Sequence, residues 1–128
     1  SPVGSAPLRD ATMAAVLRHV LANLGDPGLS VAGVCRRFAI SPRTLHALFE
    51  GRDRSFAETV RALRMERCAQ LLSDPLTTAS ITEIGARHGY PDPASFSRVF
   101  RRHFGLAPRD VRAGRAQPPP PRKVAEGS

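Results

Sequence analysis

Apolar residues recur along this chain with the spacing of helices. Met13, Val16, Leu17, Val20, Leu21 and Leu24 follow an i, i+3, i+4, i+7, i+8, i+11 stripe. That stripe predicts a first helix, with Asp10 as its N-cap and Gly25 as its stop. Asp26-Pro27-Gly28 reads as a turn, and Ser30 then caps a short helix with Val31, Val34 and Phe38 inward. Ser41-Pro42, an N-cap followed by proline at the first helical position, opens a third helix with Leu45, Leu48 and Phe49 inward. Ser55-Phe56-Ala57-Glu58 has the capping-box form and predicts a long helix to about Leu72; Ser80-Ile81-Thr82-Glu83 repeats that form and opens a fifth helix. Asp92-Pro93 opens a sixth with Phe96, Val99 and Phe100 inward, ended near Phe104 by Gly105, and Pro108 starts a short seventh. No segment alternates with period two in β-branched residues, so no strand is predicted. Both ends read as linkers. Residues 1–9 mix small residues with Pro and Gly, and 114–128 carry Pro118 to Pro121, which favours an extended polyproline II tail without a core. Pro118, Pro121 and Lys123 loosely fit a Pro-rich peptide ligand, against the plainer reading of a disordered basic tail.

The pattern repeats. Ser30, Val31 and Val34 superimpose on Ser80, Ile81 and Ile84 at a shift of 50, and Leu45, Leu48 and Phe49 on Phe96, Val99 and Phe100 at a shift of 51. The extra residue falls where Ala39-Ile40-Ser41 becomes Gly89-Tyr90-Pro91-Asp92. Each half is a capped helix, a short turn and a second helix starting with proline, which is the helix-turn-helix arrangement. The expected fold is all-α: about seven helices in two helix-turn-helix units, about 10–54 and 80–113, joined by a linking helix over 55–73. Phe56, Val60 and Leu63 lie on one side of that helix and Met65, Cys68, Ala69 and Leu72 largely on another, as packing against two lobes requires.

Composition narrows the function. The 128 residues suffice for one domain or two very small ones, with 41% hydrophobic residues for a core. Nineteen Lys+Arg against 11 Asp+Glu leave +8, and 18 of the cations are Arg, Lys123 being the exception. Such a balance points to a polyanion partner, whether DNA, RNA or an anionic membrane surface. No apolar run reaches membrane-helix length and no signal-peptide core is present. Cys35 and Cys68 sit in apolar helical patterns and read as reduced core residues suited to a reducing cytoplasm. The chain starts at Ser1 without Met, which reads as a fragment, a processed product or an expressed piece of a longer protein.

At these residues the chain resembles the DNA-binding domain of the AraC/XylS family of bacterial transcription regulators. The likeness runs from about Leu29 to Arg112, with the first helix fitting as the usual preceding one. Its most specific part is Ile84 to Tyr90, then Phe96 to Arg102, then Phe104 to Arg112; Ser41 to Phe49 and Leu63 to Cys68 match the first half. Cys35 and Gly85 stand where the family usually has alanine, and Ala39 replaces the usual turn glycine. Ala107 replaces a Ser/Thr N-cap, at an expected cost of about 1 kcal/mol in the last helix. Val111 replaces a usual tyrosine.

The resemblance implies sequence-specific binding to double-stranded DNA, as part of an activator, with two recognition helices (about 42–50 and 93–103) entering adjacent major grooves. Groove entries one turn apart on one DNA face are separated by about 34 Å. Helical spacing leaves Pro42, Arg43, His46 and Ala47 outward on the first, with Glu50 read as a solvated charge. Arg43 suits guanine O6/N7, His46 a base or phosphate, and Ala47 a thymine methyl; a solvated surface role is the alternative for His46. On the second, Pro93, Ala94, Ser97, Arg98 and Arg101 face out, with Ser95 near the edge. Arg98 is the first choice for a base contact, because Pro93 and Ala94 offer few hydrogen-bonding groups. Six arginines from Arg87 to Arg112 against Asp92 and Asp110 give a net +4 suited to phosphates. Arg101, Arg102 and Arg112 are assigned there, with a pair to Asp110 as the alternative for Arg102.

An operator duplex and RNA polymerase are the expected partners, in the cytoplasm at the nucleoid. No membrane and no cofactor is implied. The piece is expected to be monomeric, and the parent protein dimeric through a further N-terminal sensing domain that 128 residues leave no room for. An enzyme is disfavoured: HExxH, a Gly-rich phosphate loop and nucleophile motifs are missing, and His19, His46, His88 and His103 lack metal spacing. His88 reads as structural. The other alternative is a non-specific architectural or protein-interaction helical module.

Overall fold

The computed structural model describes residues 6–118, and every described element is helical: α1 (Ala6–Ala22), α2 (Val31–Phe38), α3 (Pro42–Phe49), α4 (Phe56–Ser73), α5 (Ile81–Arg87), α6 (Pro93–Phe104) and α7 (Pro108–Arg112). The described residues fall into two compact units. The first takes residues 6–24 and 28–61, the second 25–27 and 62–118, so the division lies within α4.

In the first unit the core consists of Met13, Val16, Leu17 and Val20 from α1, Leu24 after it, Val34 and Cys35 from α2, Leu45, Leu48 and Phe49 from α3, and Phe56 and Val60 from α4. Edge-on ring pairs His19–Phe38 and Phe49–Phe56 join helices within it. Two expectations for α1 need correction. It starts at Ala6, before the expected Asp10 cap, because Pro7 fits a first turn whose N–H groups need no helical partner. Residues 6–9 are therefore helix, while 1–5 lie outside the described residues. At the other end α1 stops at Ala22, and the Asn23 side chain caps it by donating to the His19 carbonyl at 2.8 Å. Gly25 does not take the left-handed conformation of a glycine stop, and Leu21, although on the stripe, is 46% exposed.

The second unit buries Met65, Cys68, Ala69 and Leu72 of α4 with Ile84, Phe96, Phe100 and Val111. Tyr90, Phe96, Phe100 and Phe104 form a run of ring contacts at 6.1, 5.8 and 4.8 Å between centroids. Burial pushes the Cys68 thiol up to about 12, against the opposing influence of Arg64 and Arg67. Both cysteines are buried and unpaired by disulfide. His88, also buried, hydrogen-bonds the Ile84 carbonyl through Nδ1 at 2.8 Å, a structural role that closes α5.

The caps read from sequence are present. Ser30, Ser41, Ser80 and Asp92 accept from the backbone N–H three residues on. Ser55 and Glu58 exchange both capping-box bonds, at 2.8 and 3.2 Å. Ala107 makes no side-chain cap, and is buried instead. The start of the expected tail is anchored: the Arg115 side chain donates to Asp110 at 3.2 Å, and its backbone N–H to the Asp110 carbonyl at 2.9 Å. Most of the proline run and Lys123 lie outside the described residues.

Candidate nucleic-acid interface

The repeat found in the sequence recurs in the backbone hydrogen bonds. In the first unit the Ile40 N–H donates to the Cys35 carbonyl at 3.1 Å; in the second, 50 residues on, the Tyr90 N–H donates to the Gly85 carbonyl at 2.9 Å. Both are six-residue closures of a helix C-terminus, and such a closure passes through a left-handed residue. Gly89 supplies it in the second unit at φ 94°, while Ala39 supplies it in the first at φ 54°. Ala39 alone among the described non-glycine residues has a positive φ. Replacing the usual turn glycine thus keeps the turn and adds backbone strain of about 1–2 kcal/mol.

The bond lying across each turn brings the chain out to a fresh cap. In the first unit the Ser41 hydroxyl accepts from the Thr44 N–H and donates to the Thr44 hydroxyl, both at 3.0 Å. Thr44 is buried with Leu45, Leu48 and Phe49, which fixes the rotation of α3. The opposite face presents Pro42, Arg43, His46 and Ala47, with Glu50 following, all exposed as the spacing predicts.

In the second unit Phe96 and Phe100 are buried and Val99 and Phe104 partly so, which leaves Pro93, Ala94, Arg98, Arg101 and Arg102 exposed on α6. Ser95 and Ser97 are half-buried at the edges of that face. The close seating of α6 depends on Gly85: a Cβ there would stand 2.7 Å from Cγ and 2.8 Å from Cδ2 of Phe96. The glycine in place of the family's alanine is therefore matched to the ring that packs on it.

Arg98 is not a free side chain. Its Nη2 donates to the Ser95 hydroxyl oxygen at 3.1 Å, and that hydroxyl donates to Asp92 Oδ2 at 2.7 Å. The side-chain and backbone hydrogen bonds from Ser95 hold the Asp92 carboxyl below its usual range, helped by the Arg98 charge. The N-cap of α6, the edge serine and the candidate base-reading arginine are thus one hydrogen-bonded chain. Ser95 holds the Arg98 guanidinium on this face of α6.

Arg112 has a role within the fold. Its guanidinium turns inward, donating to the Ala79 carbonyl at 2.6 Å and the Thr77 carbonyl at 3.5 Å, and so ties α7 to the loop before α5. Within the fold it acts as a strut. Asp110, the alternative partner for Arg102, is paired with Arg115 instead. Sequence spacing had no means of finding the Arg112 role, since its acceptors lie 33 and 35 residues away. It counted Arg109 within the +4 cluster without singling it out; the side chain lines a groove of about 260 Å³ together with Arg101. Arg109 follows Pro108 at the start of a five-residue helix, and that exposed position was the available signal.

Known proteins share this architecture. The sequence model of a family described as "Helix-turn-helix domain" matches residues 34–114. The HTH-type transcriptional activator RhaS of Escherichia fergusonii is 35% identical over 103 residues, covering 77% of this chain and 36% of RhaS. The HTH-type transcriptional regulator YpdC of Escherichia coli is 35% identical over 113 residues, covering 88% of this chain and 39% of that protein. The chain thus spans little more than a third of the length of these relatives. A crystal structure from Chromobacterium violaceum, of a transcriptional regulator described as AraC-type DNA-binding domain-containing, superimposes with a TM-score of 0.74 at 31% identity, over 85% of this chain and 96% of that one. With the duplicated turn, the two outward arginine-bearing helix faces and these matches, the chain belongs to the AraC-type helix-turn-helix DNA-binding domains of transcription regulators.

Proposed function

We propose that this chain binds double-stranded DNA sequence-specifically, as the DNA-binding part of a cytoplasmic transcription activator. α3 and α6 each enter a major-groove segment. Arg43 reads guanine, with His46 and Ala47 beside it; Arg98 reads a base from α6, while Pro93 and Ala94 pack against the groove wall without reading much sequence. Ser97, Arg101 and Arg102 face the backbone.

The observation that carries this reading is the duplicated, capped turn that leaves one arginine-bearing face of α3 and one of α6 exposed. The relatives' names support regulation of transcription, and that of RhaS supports activation, which makes RNA polymerase the second partner. No described helix is long and apolar enough to cross a membrane.

The test is selection from random-sequence duplexes. The reading predicts enrichment of two half-sites about one helical turn apart, or roughly 10–10.5 bp, and loss of binding when five base pairs are inserted between them. Enrichment of no sequence, with flat affinity across the pool, would establish the non-specific architectural alternative instead.

A further inference from the structure

Ser97 and Arg101, turned toward the backbone in the function proposed above, line a groove beside α6 together with residues of two other helices. It lies within the second unit, where the first residues of α5 and α7 meet one flank of α6. Its polar lining is Thr82, Ser97, Arg101 and Arg109; Phe96 and Pro108 contribute apolar lining. No acidic residue lines it. The nearest acids along the chain are committed elsewhere: Glu83 to the Ser80 cap and Arg87, Asp92 to Ser95, and Asp110 to Arg115. Two guanidiniums and two hydroxyls therefore share a concave surface of about 260 Å³ without a carboxylate among them.

Position on the helix separates this cluster from the base-reading group. At 100° per residue, Pro93, Ser97 and Arg101 lie along one flank of α6, and Ser95, Arg98 and Arg102 lie toward the other. A helix inserted in a major groove is bordered by the two sugar-phosphate backbones, one along each flank. Of the α6 arginines, only Arg101 shares the groove with a cation from another helix.

We propose that this groove seats one backbone phosphate of the bound duplex, with Arg101 and Arg109 as its charge partners and Thr82 and Ser97 as hydroxyl donors. The proposal rests on the DNA-binding reading above. It gives Arg109 a defined role on the DNA, and joins it to Arg101 on one phosphate. A fork-shaped guanidinium from each of two helices fits the tetrahedral oxygens of a phosphodiester, and charge-assisted bonds of this kind fix register without carrying sequence information. Such a seat sets how deep and at what rotation α6 lies, and hence which base Arg98 meets.

The test uses the chain and a duplex from the random-sequence selection, with a shuffled duplex beside it. Affinity is measured against salt for the parent chain, Arg109→Ala and Arg109→Lys. Single methylphosphonate linkages, which remove one phosphate charge, are walked along the selected duplex. Arg109→Ala is expected to weaken both duplexes by the same factor and to flatten the log K against log salt slope by about 0.9, the loss of one phosphate contact. Arg109→Lys is expected to keep the slope. One methylphosphonate position is expected to weaken the parent chain and leave Arg109→Ala unaffected. The seat is overturned if Arg109→Ala matches the parent in slope and at every methylphosphonate, or if it weakens only the selected duplex. Those failures leave the parent chain's discrimination between duplexes intact, so they are distinguishable from failure of the DNA-binding reading, in which the parent chain itself shows no preference. Equal thermal unfolding of the variants guards against a folding defect.

Discussion

Gly85→Ala tests the packing that holds the second recognition helix. In an unconstrained helix the change stabilises, since glycine is about 0.8–1.0 kcal/mol worse than alanine in a helix interior. Here the added Cβ would lie 2.7 Å from Cγ, 2.8 Å from Cδ2 and 3.2 Å from Cβ of Phe96. Those atoms are close to the backbone of α6, so a rotation of the ring about its end does not relieve the contact. Phe96 is fully buried and touches the Tyr90 and Phe100 rings, which closes the other route of escape. Overpacking a well-filled core costs about 1–3 kcal/mol, and a contact this short belongs at the upper end. After the propensity gain the net loss is about 1–2 kcal/mol. The chain of 128 residues lies between the about 4–8 °C per kcal/mol of a 60–100-residue domain and the about 2–4 °C of a 150–250-residue one, so the melting temperature should drop by roughly 3–12 °C. Thermal unfolding followed by circular dichroism at 222 nm gives the answer. Gly85→Ala combined with Phe96→Leu should lose less than the two single changes added together, because the smaller side chain vacates the space. A melting temperature unchanged or raised in Gly85→Ala, or strict additivity in the double variant, would refute the claim that α6 is seated on this glycine.

The other predictions concern single residues. Arg112→Ala should lower stability by about 1–3 kcal/mol, the loss of charge-assisted bonds to the Ala79 and Thr77 carbonyls, while leaving the salt slope of DNA binding unchanged; a flattened slope would restore it to the phosphate contacts. Ser95→Ala, which cuts the link from Asp92 to Arg98, should weaken the selected duplex more than the shuffled one, and should do so far less in an Arg98→Ala background. On acidification, the three cap carboxylates Glu58, Glu83 and Asp92, held below their usual range by hydrogen bonds from Ser55, Ser80 and Ser95, contribute stability that is present above the ordinary carboxylate pKa and is lost as pH falls through their depressed values. Melting temperature should therefore fall on the acid side, and less steeply in a Ser55→Ala, Ser80→Ala variant. Cys68, buried and with its thiol raised to about 12, should react with a thiol reagent only as fast as the second unit unfolds; labelling that outruns amide exchange of α4 would contradict its burial.

What the sequence made legible was local. Caps lie three residues from the N–H they satisfy, and the inward face of a helix follows from its period, so Ser41, Ser55, Ser80 and Asp92 and the outward faces of α3 and α6 could be read directly. The repeat placed the extra residue in the turn over 89–92, and the turn closures at Ile40 and Tyr90 with the caps at Ser41 and Asp92 narrow it to Pro91. What was not legible depends on partners distant in sequence. Gly85 reads as a weakened helix until Phe96 is placed on it, and Arg112 reads as one more cation until the 77–79 carbonyls face it. The stripe placed Leu21 inward because it is periodic, yet α1 buries a narrower face than its apolar residues span. Ala39 is a case in which the closure of the turn, shared by both units, overrides the preference of the residue.

The surplus of positive charge takes separate roles in the fold. Arg112 and Arg115 are engaged with the chain itself, Arg98 is held by a serine, and Arg101 lines a groove with Arg109. Sequence-specific recognition is the central claim, and it is tested most directly by affinity for the selected duplex and its shuffled counterpart across a salt series. The selected duplex is expected to bind tighter at every salt concentration, with both affinities falling on steep log–log slopes. Equal affinity for the two duplexes throughout would contradict it.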